Sequence, residues 1–315
     1  MKDKLGIVIV TYNRIEKLKK TLECYDIQTR DFNVLIVVNN NSNDGTKEYL
    51  EEWGKIDRQY KKIVINLQEN MGGSGGFYNG IKKAIEENVD WIWVADDDAY
   101  PYNNCVDNFY KFLKGLNDYS SVSAICGSVY SGEDIDLCHR KFIKKSKKTR
   151  RIKFINCPKE KYKLKSFEID LFSYVGSILN SSAIKEIGNT NKDLFIYYDD
   201  TEHSIRMKRY GSIVCVPDIK IIHDSGAAEI IENEMFSWRN YYLIRNRVFL
   251  LKKFYYFEAI VSSVSIIIKS YIKYYFKLKK NYNRKSHELT ITAIKDAWNE
   301  KLGRNEVYKP GFKIM

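Results

Sequence analysis

Nine residues constrain this chain more than any others: Trp91-Ile92-Trp93-Val94-Ala95-Asp96-Asp97-Asp98-Ala99. The apolar run from Trp91 to Ala95 has the length and the lack of alternation expected of a strand buried on both faces, as in a parallel sheet. It stops at three consecutive carboxylates. Adjacent like charges raise one another's pKa, so such a cluster resists ionisation unless a cation sits among them. Alternate strand side chains share a face, which sends Asp96 and Asp98 toward one ion and Asp97 away from it. Oxygen ligands select a hard divalent cation, Mg2+ or Mn2+, and Mg2+ commonly completes its shell with substrate phosphates. A solvated acidic turn is the competing reading of these residues taken alone.

The preceding segments alternate between strand and helix. Leu5 to Thr11 reads as a buried strand, and Ile15 to Ile27 spaces Leu18, Leu22 and Tyr25 at helical intervals. Val34 to Val38 is a second strand, followed by the polar loop Asn39 to Thr46, a helix to about Trp53 and a strand near Ile63-Val64-Ile65. This order predicts an α/β fold with a mostly parallel sheet flanked by helices. Ligands of such sheets bind at the carboxyl ends of the strands, where the loops after Thr11, Asn39 and Asp96 lie. The loop Asn70 to Phe77 carries four glycines in five residues, which lets backbone approach a ligand closely. A helix from Phe77 to about Glu87 would then offer its N-terminus to an anion. The loop is neither a Walker sequence nor a dinucleotide fingerprint, and a flexible turn is its plainer reading.

Six widely scattered cysteines without a Cys-x-x-Cys pair indicate free thiols in a reducing cytoplasm rather than a disulfide scaffold or a zinc site. No signal peptide is expected from the first residues, and no apolar stretch approaches the roughly 18 residues of a membrane span. The net charge of +12 leaves nucleic acid, anionic lipid and phosphorylated substrates as partners. Twelve Lys/Arg fall between Lys141 and Lys165, read first as a solvated loop, and a second basic group lies from Lys269 to Lys285. No nucleic-acid-binding motif accompanies them.

Val10-Thr11-Tyr12-Asn13-Arg14, Asn40-Asn41-Ser42-Asn43-Asp44-Gly45-Thr46 and Asp96-Asp97-Asp98 together resemble family 2 glycosyltransferases of the GT-A fold. With the Asn70 to Phe77 loop added, the likeness is to the galactofuranosyltransferase and rhamnosyltransferase branch, over roughly residues 5 to 250. The resemblance implies that Thr11, Tyr12 and Arg14 line a nucleotide pocket, with Asn40 where relatives place an aspartate that holds uracil. An Asn carbonyl can still accept the imide N–H of a pyrimidine. Gly73, Ser74, Gly75 and Gly76 would lie against the donor sugar or pyrophosphate, with Asp96 and Asp97 completing the donor site. It also implies that Asp96, Asp98 and His223 hold Mn2+ or Mg2+, and that Asp200 of Tyr198-Asp199-Asp200-Thr201-Glu202-His203 is the catalytic base. A sugar hydroxyl needs such a base. Asp199 and Glu202 are the nearby alternatives, and Glu202 could instead orient an acceptor hydroxyl. Read without the family, paired carboxylates at a helix start are caps and a lone His is structural.

Trp238 to Arg247 resembles the family's aromatic and Arg-Asn helix, which implies acceptor contacts for Trp238, Tyr242, Arg245 and Asn246. Aromatic faces suit sugar rings and arginines suit phosphate, although an amphipathic core helix reads the tyrosines equally well. From Phe254 to Phe276 the chain mixes Tyr, Phe and Ile with Lys269, Lys273 and Lys277. That pattern fits a helix on an anionic membrane surface, one packed on its own catalytic domain, or one paired with a second subunit. A GT-A domain over 1–250 and a helical C-terminal extension over 251–315 are therefore expected. The function expected is inverting transfer from a nucleotide-sugar donor, UDP-galactofuranose first and dTDP-rhamnose second, onto a lipid-pyrophosphate-linked acceptor of a bacterial surface polysaccharide. The enzyme would be cytoplasmic and peripheral at the inner face of the cell membrane. A catalytically silent, membrane-recruiting partner is the alternative of another class.

Overall fold

The protein is described by a computed structural model covering residues 3–116, 121–146, 151–224, 236–278 and 282–312. The strands β1 (Leu5–Thr11), β2 (Val34–Asn39), β3 (Lys61–Asn66) and β4 (Trp91–Asp96) are linked by the helices α1 (Ile15–Asp26), α2 (Thr46–Lys55) and α3 (Gly72–Glu86). All four strands run parallel in the order β3-β2-β1-β4, and β1, β2 and β4 are buried on both faces. Their registers place Thr11 beside Asn39, Asn39 beside Asn66, and Val10 beside Asp96. The polar loops after β1, β2 and β4 therefore leave the sheet at one edge.

Beyond β4 the sheet turns mixed. After β5 (Ala99–Pro101) and α4 (Cys105–Lys114) come β6 (Val122–Ser131) and β7 (Asp134–Ile135), then β8 (Arg140–Lys145), β9 (Ile152–Asn156), β10 (Phe167–Ile169), β11 (Leu171–Phe172) and β12 (Ser177–Asn180). The short helix α5 (Ser181–Ile187), α6 (Asp199–Tyr210) and β13 (Ser212–His223) complete this part. The order continues β4-β12-β6-β13-β10, with β12 antiparallel to both neighbours and β13 parallel to β6. One core packs Leu5, Ile7, Ile9, Trp91 and Trp93 against α1 and α4, and the other packs Val8, Val10, Ile92 and Val94 against α3 and α5.

Two expectations need correction. The glycine run is not a loop before a helix: α3 starts at Gly72, and its glycines set packing distance. A Cβ on Gly76 would stand 2.4 Å from Val10 Cγ1, and one on Gly80 2.2 Å from Val8 Cγ1. Tertiary contact thus overrides the poor helix propensity of glycine. The basic stretch after Lys141 is not simply a solvated loop either, because β8 and β9 form a three-stranded sheet with β11 in the order β11-β8-β9. Lys147, Lys148 and Arg150 lie outside the described residues.

The chain divides into two compact units, one of residues 1–144, 154–191 and 200–224, the other of 145–153, 192–199 and 225–315. A boundary at 250 would cut the helix α7 (Arg239–Phe254), which packs with α8 (Tyr256–Tyr275) and α9 (Arg284–Trp298) in the second unit. Tyr241, Tyr242, Leu289, Ala293 and Tyr308 form its core, and Asn283 caps α9 through Ser286. All six cysteines are free, four of them buried. Among the described residues no helix is long and apolar enough to cross a membrane.

Overpacking a tight helix–strand contact costs about 1–3 kcal/mol, so Gly80→Ala is expected to lower the urea midpoint accordingly. Gly54 in α2 has nothing within 4 Å of its would-be Cβ. Gly54→Ala is therefore expected to gain about 0.5 kcal/mol from helix propensity alone, and parallel denaturation curves compare the two.

Candidate active site

The loops after β1 and β2 are stitched to each other. Ser42 Oγ accepts the Asn13 N–H at 3.0 Å, Asn13 Oδ1 accepts the Asn43 N–H at 2.8 Å, and Asp44 Oδ2 accepts the Ile15 N–H at 3.0 Å. Asn13 and Asn41 occupy the left-handed region (φ 53 and 62), which asparagine tolerates better than most side chains.

Strand alternation does not govern the acidic cluster, because β4 ends at Asp96 and Asp97–Asp98 form the turn into β5. β5 pairs antiparallel with the end of β13, setting His223 opposite Ala99. That pairing brings His223 Nε2 to 3.4 Å from Asp98 Oδ1. Ligand atoms of Asp96, Asp98 and His223 all lie within 4.8 Å of one another. Asp98 Oδ1 is buried and, among the described residues, has no hydrogen-bond partner. An orphaned carboxylate oxygen beside an imidazole nitrogen and a second carboxylate is a donor set that fits Mn2+ or Mg2+.

The same turn is held by cations at the start of α1, Arg14 just before it and Lys17 in its first turn. Arg14 Nη1 lies 2.7 Å from Asp98 Oδ2 and 3.4 Å from Asp97 Oδ1, and Lys17 Nζ lies 3.6 Å from Asp98 Oδ2. Burial alone would push the Asp98 carboxyl up, but His223, Arg14 and Lys17 hold it below the usual carboxylate range. Asp97 behaves oppositely: burial pushes it up to about 7, opposed by Arg14 and reinforced by Asp98. Lys17 had a signal in the sequence, one turn along α1 from Arg14 on the same face. His139 had none. Its ring meets His223 edge-on at 5.2 Å, and its Nδ1 sits 2.7 Å from Ser173 Oγ.

Several expected donor contacts are otherwise engaged. Thr11 is buried and donates its hydroxyl to Asp97 at 2.7 Å, so both residues are committed to each other rather than to a pocket. Asn40, 2% exposed, accepts the Met71 N–H at 2.9 Å and donates to the Gly72 carbonyl at 3.0 Å, which ties the β2 loop to α3 instead of presenting an amide to a base. Gly76 faces Val10, and a Cβ on Gly75 would meet Met71. Tyr12 is exposed, Gly73 has open space around it, and the buried Ser74 Oγ has no hydrogen-bond partner among the described residues.

Asp200 lies in the first turn of α6, half-buried, and its Oδ1 accepts from the Thr201 N–H and hydroxyl. Burial raises its pKa against those hydrogen bonds. Glu202 does not face an acceptor. It is 0% exposed and grips Arg206 with both oxygens, at 2.9 and 2.7 Å, while Arg206 also donates to the carbonyls of Ile187, Gly188 and Asn189. In the second unit Tyr242, Arg245 and Asn246 are likewise fully buried, which removes them from direct acceptor contact. Tyr242 accepts the Asn305 N–H, and the Arg245 and Asn246 donors go to main-chain carbonyls of Leu194 and its neighbours. Trp238 remains partly exposed. Phe195, Tyr197 and Tyr198 all hold left-handed φ values, 66, 67 and 66, each costing on the order of 1–3 kcal/mol.

Removing one partner of a buried ion pair strands the other charge, at about 3–5 kcal/mol. Arg206→Met is therefore expected to lose that much stability in guanidinium unfolding, with the nucleotide affinity of the folded fraction unchanged.

Residues 6–185 match the model of the family described as "Glycosyl transferase family 2". The galactofuranosyltransferase GlfT1 of Mycobacterium tuberculosis is 35% identical over 101 residues, 32% of this chain and 32% of its own length, so the match spans about a third of that relative. The dTDP-rhamnosyl transferase RfbF of Shigella flexneri is 28% identical over 262 residues, covering 80% of this chain and 81% of RfbF. A Campylobacter jejuni GalNAc(5)-diNAcBac-PP-undecaprenol beta-1,3-glucosyltransferase is 34% identical over 97 residues, 30% of each protein. Among solved structures, S. aureus TarS 1-349 with UDP-GlcNAc superposes with a TM-score of 0.58 at 14% identity, over 93% of this chain and 81% of TarS. GalNAc-T7 with UDP, GalNAc and Mn2+ superposes at 0.56 and 16% identity, over 70% of this chain and 43% of that one. Both likenesses confirm the GT-A fold. With more than half of its length matched by the family model, this chain belongs to glycosyl transferase family 2.

Proposed function

We propose that this glycosyltransferase is inverting and metal-dependent, and that it moves galactofuranose from UDP-galactofuranose onto a lipid-pyrophosphate-linked intermediate of a bacterial surface polysaccharide. The observation that carries the reading is the gathering of Asp96, Asp98 and His223 at the carboxyl edge of the sheet, with the buried Asp98 Oδ1 facing the His223 imidazole and without a hydrogen-bond partner among the described residues. These residues would hold Mn2+ or Mg2+, which supplies positive charge to a departing nucleoside diphosphate. Arg14 and Lys17 add fixed positive charge beside the same turn. Tyr12 and Gly73 are the donor contacts left open by the packing. Asp200 accepts the proton of the acceptor hydroxyl as its oxygen bonds to the anomeric carbon and the bond to the nucleotide breaks on the opposite face. Trp238 offers an aromatic face to an acceptor sugar. Support for the donor and acceptor comes from the names of the relatives, and the match to RfbF over most of the chain favours dTDP-rhamnose as the second reading.

The test offers UDP-galactofuranose and dTDP-rhamnose in turn with Mn2+ and an undecaprenyl-pyrophosphate-linked sugar, and reads products by mass. Transfer from UDP-galactofuranose supports the proposal, transfer only from dTDP-rhamnose replaces the donor, and transfer from neither rejects both. EDTA is expected to abolish turnover and Mn2+ to restore it. Asp200→Asn is expected to cost about 10²–10⁴-fold in kcat. A base works only when ionised, and burial raises the Asp200 pKa. The kcat profile should therefore climb with pH along an acid limb lying above the ordinary carboxylate range, and that limb should vanish in Asp200→Asn.

Attachment to an anionic membrane surface belongs to the same proposal, and α8 supports it. This helix buries Glu258, Ala259, Ser262, Ser263 and Ser270 and exposes Phe257, Ile260, Val264, Ile268, Tyr271 and Tyr275. Its polarity is thus inverted for a helix of a water-facing surface, and exposed Lys269, Lys273 and Lys277 flank the apolar stripe. That combination fits acyl chains bordered by anionic headgroups. Co-sedimentation with phosphatidylglycerol vesicles is expected, weakening with salt and lost in Val264→Glu/Ile268→Glu. No vesicle binding, with a dimer that this double variant splits, would assign the face to a second copy instead.

A further inference from the structure

Arg245 and Asn246 do not reach an acceptor, yet they make the most directed set of side-chain contacts in the second unit. The Asn246 amide nitrogen stands 2.9, 2.8 and 2.9 Å from the carbonyl oxygens of Leu194, Ile196 and Tyr197, which share its two N–H donors. Asn246 Oδ1 accepts Arg245 Nε at 2.8 Å, which fixes the orientation of the amide. The remaining guanidinium nitrogens donate to the Leu194 carbonyl at 3.0 Å and the Gly303 carbonyl at 2.6 Å. Phe195 packs its ring on Tyr242 at 4.9 Å, and Tyr241 and Tyr242 flank the guanidinium.

The clamped segment is the strained one. Phe195, Tyr197 and Tyr198 are left-handed, and none is a glycine, so an isolated chain would relax out of this conformation. Its carbonyls are turned away from regular ladders and need external donors. Asp199 and Asp200 follow at once and open α6. A buried guanidinium is a poor source of net stability, whereas a fixed fork of donors is well suited to dictating a backbone path.

We propose that Arg245 and Asn246 are positioning residues: they hold backbone 194–197, with Phe195 and Tyr197 left-handed, and so set the direction in which the chain delivers Asp200 to its place as base. The proposal rests on Asp200 having that role. Its distinctive consequence concerns the donors of Asn246. Asn246→Asp keeps the size and the acceptor for Arg245, and adds a charge partner for it, but removes both N–H donors. A residue that only filled space would tolerate that change, whereas one whose amide donates to these carbonyls would not.

The experiment compares the full-length protein with Asn246→Asp, Asn246→Ala and a control, Leu250→Ala, which empties a buried apolar site on the same helix. Thermal midpoint, nucleotide affinity, kcat, and hydrogen–deuterium exchange over 192–204 are read on each. Both Asn246 variants are expected to exchange faster across 195–200 and to lose about 100-fold in kcat with nucleotide affinity unchanged, since small misplacement of a reacting group costs that much. Leu250→Ala is expected to lower the midpoint while keeping kcat. Wild-type exchange and kcat in Asn246→Asp, or an equal loss in Leu250→Ala, would overturn the proposal. If the wild type transfers neither sugar, the functional reading fails by itself, and exchange over 195–200 still decides whether the clamp exists.

Discussion

Three adjacent carboxylates stand at the end of β4 and in the turn after it, and Thr11, Arg14, Lys17, Thr21 and His223 hold them there. Burial pushes the Asp97 carboxyl up to about 7 against the pull of Arg14 and of the hydrogen bond from Thr11, and its main-chain carbonyl is anchored by the Thr21 hydroxyl at 2.6 Å. Asp98 is kept ionised by His223, Arg14 and Lys17. Burial and the surrounding charges thus move two neighbouring aspartates in opposite directions, Asp97 up and Asp98 down, the general way in which one fold gives like groups different acidities. The β5–β13 pairing supplies the histidine from far along the chain, so the candidate metal site is closed only when the mixed half of the sheet has assembled.

The second unit solves a different problem. Its α7 is built inward, with Tyr241 donating to Asp296 at 2.7 Å, Tyr242 receiving the Asn305 N–H and Arg245 reaching main-chain carbonyls. Its α8 is built outward, with small and polar residues inside and large apolar ones outside. One helix organises the backbone ahead of α6, and the other presents an apolar face that is exposed among the described residues. Arg151 ties residues 145–153 to that second helix by gripping Glu258 with Nε at 2.8 and 2.9 Å.

What was legible in the sequence follows from periodicity. Strands β1, β2 and β4 are continuous apolar runs because both faces are covered, and α1 shows its core stripe at Leu18, Leu22 and Tyr25. Asp96, Asp98 and His223 were named together and do converge. What was hidden depends on partners distant in sequence. Nothing local says that Gly76 and Gly80 answer to Val10 and Val8, or that Lys141 to Lys145 pairs as a strand. An Arg-Asn pair on an aromatic helix reads as a ligand contact until its face is known, and here that face is inside. Glu202 was the readable exception, since Arg206 stands at i+4 and such spacing announces a pair.

Asp98 Oδ1, Asp96 and His223 Nε2 are proposed to form a divalent-cation site at the carboxyl edge of the sheet. Anomalous diffraction from crystals grown with Mn2+ and UDP tests it most directly. The account predicts a single strong manganese peak among these three side chains, touching the UDP phosphates. Ordered UDP with no peak there, or a peak held by other residues while Asp98 stays paired only with Arg14 and Lys17, would contradict it.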